Sequence, residues 1–136
     1  MKQFAVLAIA LSLAGLPALS AEENDMLAAR WYGALQTADI DTLEALLAAN
    51  AVIKPNDIAP SQPKPEFVEP MAEWKKAMEG GSIRHKPDGE ADGASAYKVC
   101  YRFRGNELLT REIFTLSDRK IAMSEQTTLS ESCTDF

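Results

Sequence analysis

Histidine occurs once in this 136-residue chain, at His85, and cysteine twice, at Cys100 and Cys133. That inventory is too small for a thiolate or imidazole metal site, which takes about four such ligands. Basic residues are also in short supply: 14 Lys and Arg stand against 20 Asp and Glu, a formal net charge of −6. Such a balance disfavours nucleic acid or an anionic membrane as partner, because both demand a basic face. There is no phosphate loop, dinucleotide fingerprint, heptad seam, nucleophile-elbow serine or internal repeat, so no cofactor is indicated. Nor does any apolar run reach the roughly 20 residues that span a bilayer.

The apolar run that does exist begins at Phe4 and ends at Leu16, after a single basic residue, Lys2. This is the layout of a secretory signal peptide. Pro17 stops the run, and Ala18-Leu19-Ser20 offers small residues where a signal peptidase inspects the chain. Cleavage is expected after Ser20 or Ala21, so that residues 1–21 form the leader and 22–136 a single domain. No Cys lies near that point to accept a lipid, and no twin-Arg pair precedes the run. A periplasmic or secreted protein with no stable membrane anchor after cleavage follows. Without Lys2 the remaining chain stands at one charge lower than the −6 of the whole. In an oxidising compartment Cys100 and Cys133 read as a disulfide, with two buried free thiols as the alternative.

Periodicity then divides the chain in two. Leu27, Trp31 and Leu35 recur every four residues and mark a helix from Asp25 to Thr37. Asp39 or Asp41 can cap a second helix reaching about Asn50, with Leu43, Leu46 and Leu47 on its buried side. A short strand, 51–54, meets Pro55, and four prolines between 55 and 65 make a loop. A third helix is expected from about Pro70 to Glu79, ended by Gly80-Gly81. Beyond it the pattern alternates, and 82–86, 94–104, 107–117 and 120–130 read as strands. The fold class is α+β: three N-terminal helices packed on a curved, mostly antiparallel sheet that forms a cone-shaped pocket.

If Gly105-Asn106 is a two-residue turn, Phe103 faces Leu108, Tyr101 faces Thr110, Val99 faces Glu112 and Tyr97 faces Phe114. A turn at Asp118-Arg119 continues that face with Phe114 opposite Met123, Glu112 opposite Glu125 and Thr110 opposite Thr127. The other face carries Lys98, Cys100, Arg102, Arg104, Arg111, Lys120 and Gln126, and the tail must fold back over it to bring Cys133 to Cys100. Two carboxylates facing each other under the helices would cost several kcal/mol if dry and ionised. Either one stays protonated, or a cation neutralises them, or the space is an open wet pocket; the plainer alternatives are a solvated sheet edge or a different register. The pocket candidates are Tyr32, Trp74, His85, Tyr97, Tyr101, Thr110, Glu112, Glu125 and Thr127. Among them Glu112, Tyr97 and Tyr101 are the candidates for acid–base chemistry.

The stretch Arg30-Trp31-Tyr32-Gly33-Ala34-Leu35-Gln36-Thr37, continuing through Ala38-Asp39-Ile40-Asp41 to Ala51-Val52-Ile53, resembles the opening of the nuclear transport factor 2-like superfamily. That superfamily includes ketosteroid isomerase and the SnoaL-like cyclases, and the resemblance implies a conical pocket between helices and sheet. The isomerase residues are not matched one for one. The position of its base falls near Pro55, with Asp57 two residues late; its tyrosine falls on Trp31, one step from Tyr32; its inner acid falls within about two residues of Glu112. Three functions are therefore carried forward. The first is a non-catalytic exported domain holding a small amphipathic molecule or peptide. The others are an isomerase, dehydratase or cyclase using a pocket carboxylate, and an interaction domain, such as a homodimer, working through the outer sheet face.

Overall fold

A computed structural model describes residues 19–57 and 59–136. The stretch expected to be the leader, apart from its last three residues, lies outside the described residues. Helix α1 runs Ala21–Thr37, four residues earlier than the apolar stripe suggests, because the Ser20 hydroxyl caps it by accepting the Glu23 amide (3.2 Å). Glu22 and Glu23 in its first turn suit the positive end of the helix dipole. Leu27, Ala28, Trp31, Tyr32, Ala34 and Leu35 form its buried stripe. Ala38 closes it in the left-handed region, at φ 51°.

Asp39, rather than Asp41, caps α2 (Ile40–Leu46), accepting from the Thr42 amide and hydroxyl. The helix stops at Leu46 instead of Asn50. Leu47 is fully buried and already pairs with Ile121, so sheet pairing claims 47–50 and extends strand β1 over Leu47–Pro55. The proline-rich loop contains a two-residue strand, β2 (Gln62–Pro63). The expected third helix forms as α4 (Met71–Ala77), and a further short helix, α3 (Lys64–Val68), precedes it, separated at Glu69-Pro70.

Four long strands follow: β3 (Ser82–Ala91), β4 (Ala94–Arg102), β5 (Glu107–Ser117) and β6 (Lys120–Ser130). The sheet order is β2-β1-β6-β5-β4-β3, antiparallel except for β1 beside β6. Pro87 is tolerated in β3 because that strand is an edge. The helices cover one face, giving the α+β cone expected.

Register decides which side chains face the helices. Arg102 pairs with Glu107, so the β4–β5 connection is a four-residue loop, 103–106, not the two-residue turn expected. The slip is two residues and leaves every face unchanged: Tyr97, Val99, Tyr101, Thr110, Glu112 and Phe114 are all buried. The β5–β6 hairpin behaves differently. Its turn at Asp118-Arg119 forms as expected, but a bulge after the Leu116–Ile121 pair shifts the register by one. That shift of one reverses the side chains from Met123 to Thr128, up to a second irregularity at the Leu109–Thr110 step. Ser124, Gln126 and Thr128 therefore stand opposite Phe114, Glu112 and Thr110, while Glu125 faces Ile113 and Thr127 faces Arg111 on the outer side. The expected Glu112–Glu125 pair does not exist, and Gln126 leaves the outer face for the inner one.

Cys100 and Cys133 form the disulfide, with Cα atoms 5.7 Å apart. As expected, the tail folds across the outer face. The Phe136 ring lies under the Arg84 guanidinium (4.6 Å) and the Lys86 ammonium (4.8 Å), contacts that hold it by cation–π attraction.

Candidate functional site

Six of the expected pocket residues meet in the core: Tyr32 from α1, His85 from β3, Tyr97 and Tyr101 from β4, Thr110 and Glu112 from β5. Their centre is Glu112, whose side chain has no exposed surface. Tyr32 donates to its Oε1 (2.9 Å), while Tyr101 (2.5 Å) and Thr110 (2.8 Å) donate to its Oε2. Burial pushes the carboxyl above its ordinary pKa, and the three hydroxyl donors pull it back only in part. The same burial, reinforced by the neighbouring carboxyl, holds Tyr32 and Tyr101 firmly protonated. Tyr32, one step from Trp31 on which the isomerase tyrosine position falls, is the α1 hydroxyl that reaches Glu112.

Aromatic rings fill the space around this knot. Trp31 stacks on Phe67 and meets Phe114 edge-on, Tyr97 lies against Phe114, and Trp74 stands edge-on to Tyr101 and Phe103. Trp74 spends its indole N–H on the Leu35 carbonyl (2.6 Å), which makes it a strut between α4 and α1. His85 is half-buried, stacked on Tyr32 at 4.8 Å, and burial lowers its pKa against the smaller opposing pull of Asp25. Because the Glu112 carboxyl has no accessible surface, no water-sized space touches it. It cannot meet a substrate without the cone opening.

The open space lies elsewhere. A cleft of about 610 Å³ sits where the start of α1 approaches the turns joining β3 to β4 and β5 to β6. Leu19, Leu27, Tyr97, Phe114 and Leu116 supply its apolar lining, and Asn24, Ser95, Asp92, Asp118 and Arg119 its polar one. Asn24 donates to the Ser95 hydroxyl (2.9 Å), while its Oδ1 is buried without a partner. Tyr97 donates to Asp25 at 2.8 Å. Both rim turns depend on left-handed backbone, at Asp92 (φ 52°), Gly93 (80°), Asp118 (51°) and Arg119 (63°).

Of the nine expected pocket residues only Tyr97 lines this cleft. Glu125 and Thr127 are excluded by the bulge, and Trp74 is turned to the opposite end. The residues that sequence reasoning missed fall into two groups. Ser95 and Leu116 share the alternating inner face with Tyr97 and Phe114, a signal present in the strand pattern. Leu27 heads the apolar stripe but was not joined to the pocket, and Asn24 comes into play because α1 begins at Ala21, which that stripe does not reveal.

No family model matches the chain, and no curated protein gives a significant sequence match. Solved structures do match. SalBIII, an epoxide hydrolase/cyclase-like enzyme of pyran ring formation in polyether salinomycin, superposes with a TM-score of 0.67 at 16% identity, over 84% of this chain and 94% of that one. An NTF2-like protein of unknown function from Burkholderia xenovorans gives 0.64 at 14% identity, over 79% and 83%. A protein from Catenulispora acidiphila with a ketosteroid isomerase-like fold, in complex with trimethylamine, gives 0.61 at 14% identity, over 77% and 87%. At these identities the likeness concerns architecture, and the chain has the nuclear transport factor 2-like, ketosteroid isomerase-like fold.

Proposed function

We propose that this is an exported domain that holds a small amphipathic molecule in the cleft at the tip of its cone, without turning it over. The observation that carries this reading is the contrast between two places. The best placed acid, Glu112, is sealed, whereas the cleft is open, of a size suited to small ligands, and lined by five apolar side chains with a few polar groups among them. Asn24 Oδ1, buried and unpartnered, asks for a ligand with an N–H or O–H to give. The disulfide suits an oxidising compartment, and no helix among the described residues is long and apolar enough to cross a membrane. The trimethylamine complex of the Catenulispora protein is a case of this fold accompanied by a small molecule.

Native mass spectrometry of the secreted protein should show an occupant of small-molecule mass, and Leu116→Arg should remove it while the fold persists. An occupant unaffected by Leu116→Arg would place the ligand elsewhere and defeat the reading.

A second reading has one observation in its favour. Tyr97 lines the cleft and donates to the exposed carboxylate of Asp25, an acid–hydroxyl pair within reach of a bound molecule. Fold neighbours that include enzymes make turnover conceivable on this scaffold. Such chemistry would run through Tyr97 and Asp25, and Asp25→Asn would abolish turnover while sparing binding; Glu112→Gln would leave it intact.

A further inference from the structure

We infer that removal of the leader enlarges the ligand cleft, because one of the cleft's walls belongs to the leader. The inference rests on the reading just given, in both its parts: the cleft as ligand site and the excision of the leader. Leu19 is half-buried against the core and lines the cleft with Leu27, Tyr97, Phe114 and Leu116. It stands on the leader side of both expected cleavage points. Ser20, the cap of α1, lies on the leader side of the bond after Ser20 and of the bond after Ala21.

Cleavage therefore does three things in one place. It withdraws an apolar side chain from beside the Tyr97 and Phe114 rings, leaving room for a ligand's apolar body. It removes the hydroxyl that satisfies the Glu23 amide. It also leaves an α-ammonium at the start of α1, where the helix dipole disfavours positive charge and Glu22 and Glu23 partly offset it. The uncut chain thus has the better capped helix and the narrower cleft, and the processed chain the reverse. Stability and binding must move in opposite directions, a pairing that a purely structural role for Leu19 would not produce.

The test compares two exported chains. One begins at its natural N-terminus, assigned by intact mass; the other follows a foreign leader cut just before Leu19. The probe is N-phenyl-1-naphthylamine, which is neutral, apolar and carries one N–H. The shorter chain should bind it about threefold or more tightly, and should melt roughly 2–6 °C lower through loss of the cap. Leu19→Ala in the longer chain should restore the tighter binding while keeping the cap. Equal binding by the two chains would overturn the inference and leave the ligand reading standing. If neither chain binds the dye, the ligand reading falls and takes the inference with it. A secreted protein whose mass still includes Leu19 would overturn the inference outright.

Discussion

Replacing Glu112 by leucine should unfold the domain, whereas glutamine should leave it folded with a changed response to pH. Tyr32, Tyr101 and Thr110 all donate to this one carboxyl in a place without water. With leucine all three hydroxyls lose that acceptor, at about 1–3 kcal/mol for each buried orphan. The combined loss, roughly 3–9 kcal/mol, is comparable to the whole stability of a small domain, about 5–15 kcal/mol. Glutamine keeps an acceptor oxygen and a similar shape, and the hydroxyls can rotate to accept from its amide, so the expected cost is about 1 kcal/mol.

The pH response follows from the direction of the Glu112 shift. Burial raises the folded pKa, and the donors only partly oppose it. Above the unfolded value of about 4.3 the unfolded chain releases a proton that the native state retains. In that window the native state binds more protons, so stability falls as pH rises, by up to about 1.4 kcal/mol per pH unit, until the folded pKa is passed. Glu112→Gln has no such proton, and this contribution to the slope vanishes. Urea unfolding of both proteins at steps from roughly pH 4 to 8 reads the difference. Parallel curves would show that Glu112 titrates like an ordinary carboxyl and refute the argument.

Replacing Cys100 and Cys133 together by serine should cost roughly 3–4 kcal/mol for a loop of this length. The melting temperature should drop by about 10–15 °C, and a drop under a few degrees would mean that the tail is held by its other contacts. Burial lowers the His85 pKa while Asp25 raises it by less, so Asp25→Asn should move the NMR titration midpoint of His85 lower still; an upward move would be incompatible with that account. Since the unfolded chain takes up this proton first, His85 should reduce stability as pH falls through about 6.5. Arg119 sits at φ 63°, a conformation that costs an L-residue about 1–2 kcal/mol, and its pair with Glu23 is exposed. Arg119→Gly should therefore gain about 0.5–1 kcal/mol after glycine's own entropy is charged against it. A loss instead would mean that the Glu23 pair outweighs the strain.

What could be read from the sequence was whatever local chemistry decides. The α1 stripe, the Asp118-Arg119 turn, the strands from Ala94 onward and the Cys100–Cys133 bridge depend on spacing and residue type along a few neighbouring positions. What escaped was decided by partners distant in the chain. Leu47 to Ala49 are good helix formers drawn into β1 by β6. The start of α1 escaped for a different reason: its cap, Ser20, stands in a segment that reads as leader, so local signals there served two purposes at once.

The β6 bulge had the largest effect on the site, because it alone changed which groups meet. An inner face carrying Glu112 opposite Glu125 would have needed water, a cation or a shared proton, and hence an open cone. With Ser124 and Gln126 turned inward, only one carboxyl is buried in the cone. One carboxyl is a problem that three hydroxyls can solve without solvent, and Tyr32, Tyr101 and Thr110 solve it. Once the knot is dry, aromatic rings can close around it, as Trp31, Phe114 and Trp74 do. The room that a wet pocket would have taken is consequently absent around Glu112. Space survives at the tip, where the left-handed turns at Asp92-Gly93 and Asp118-Arg119 carry the strands away and only the first turns of α1 lie over the inner face. A single inserted residue in β6 thus accounts both for the sealed acid and for a cleft displaced to the start of α1.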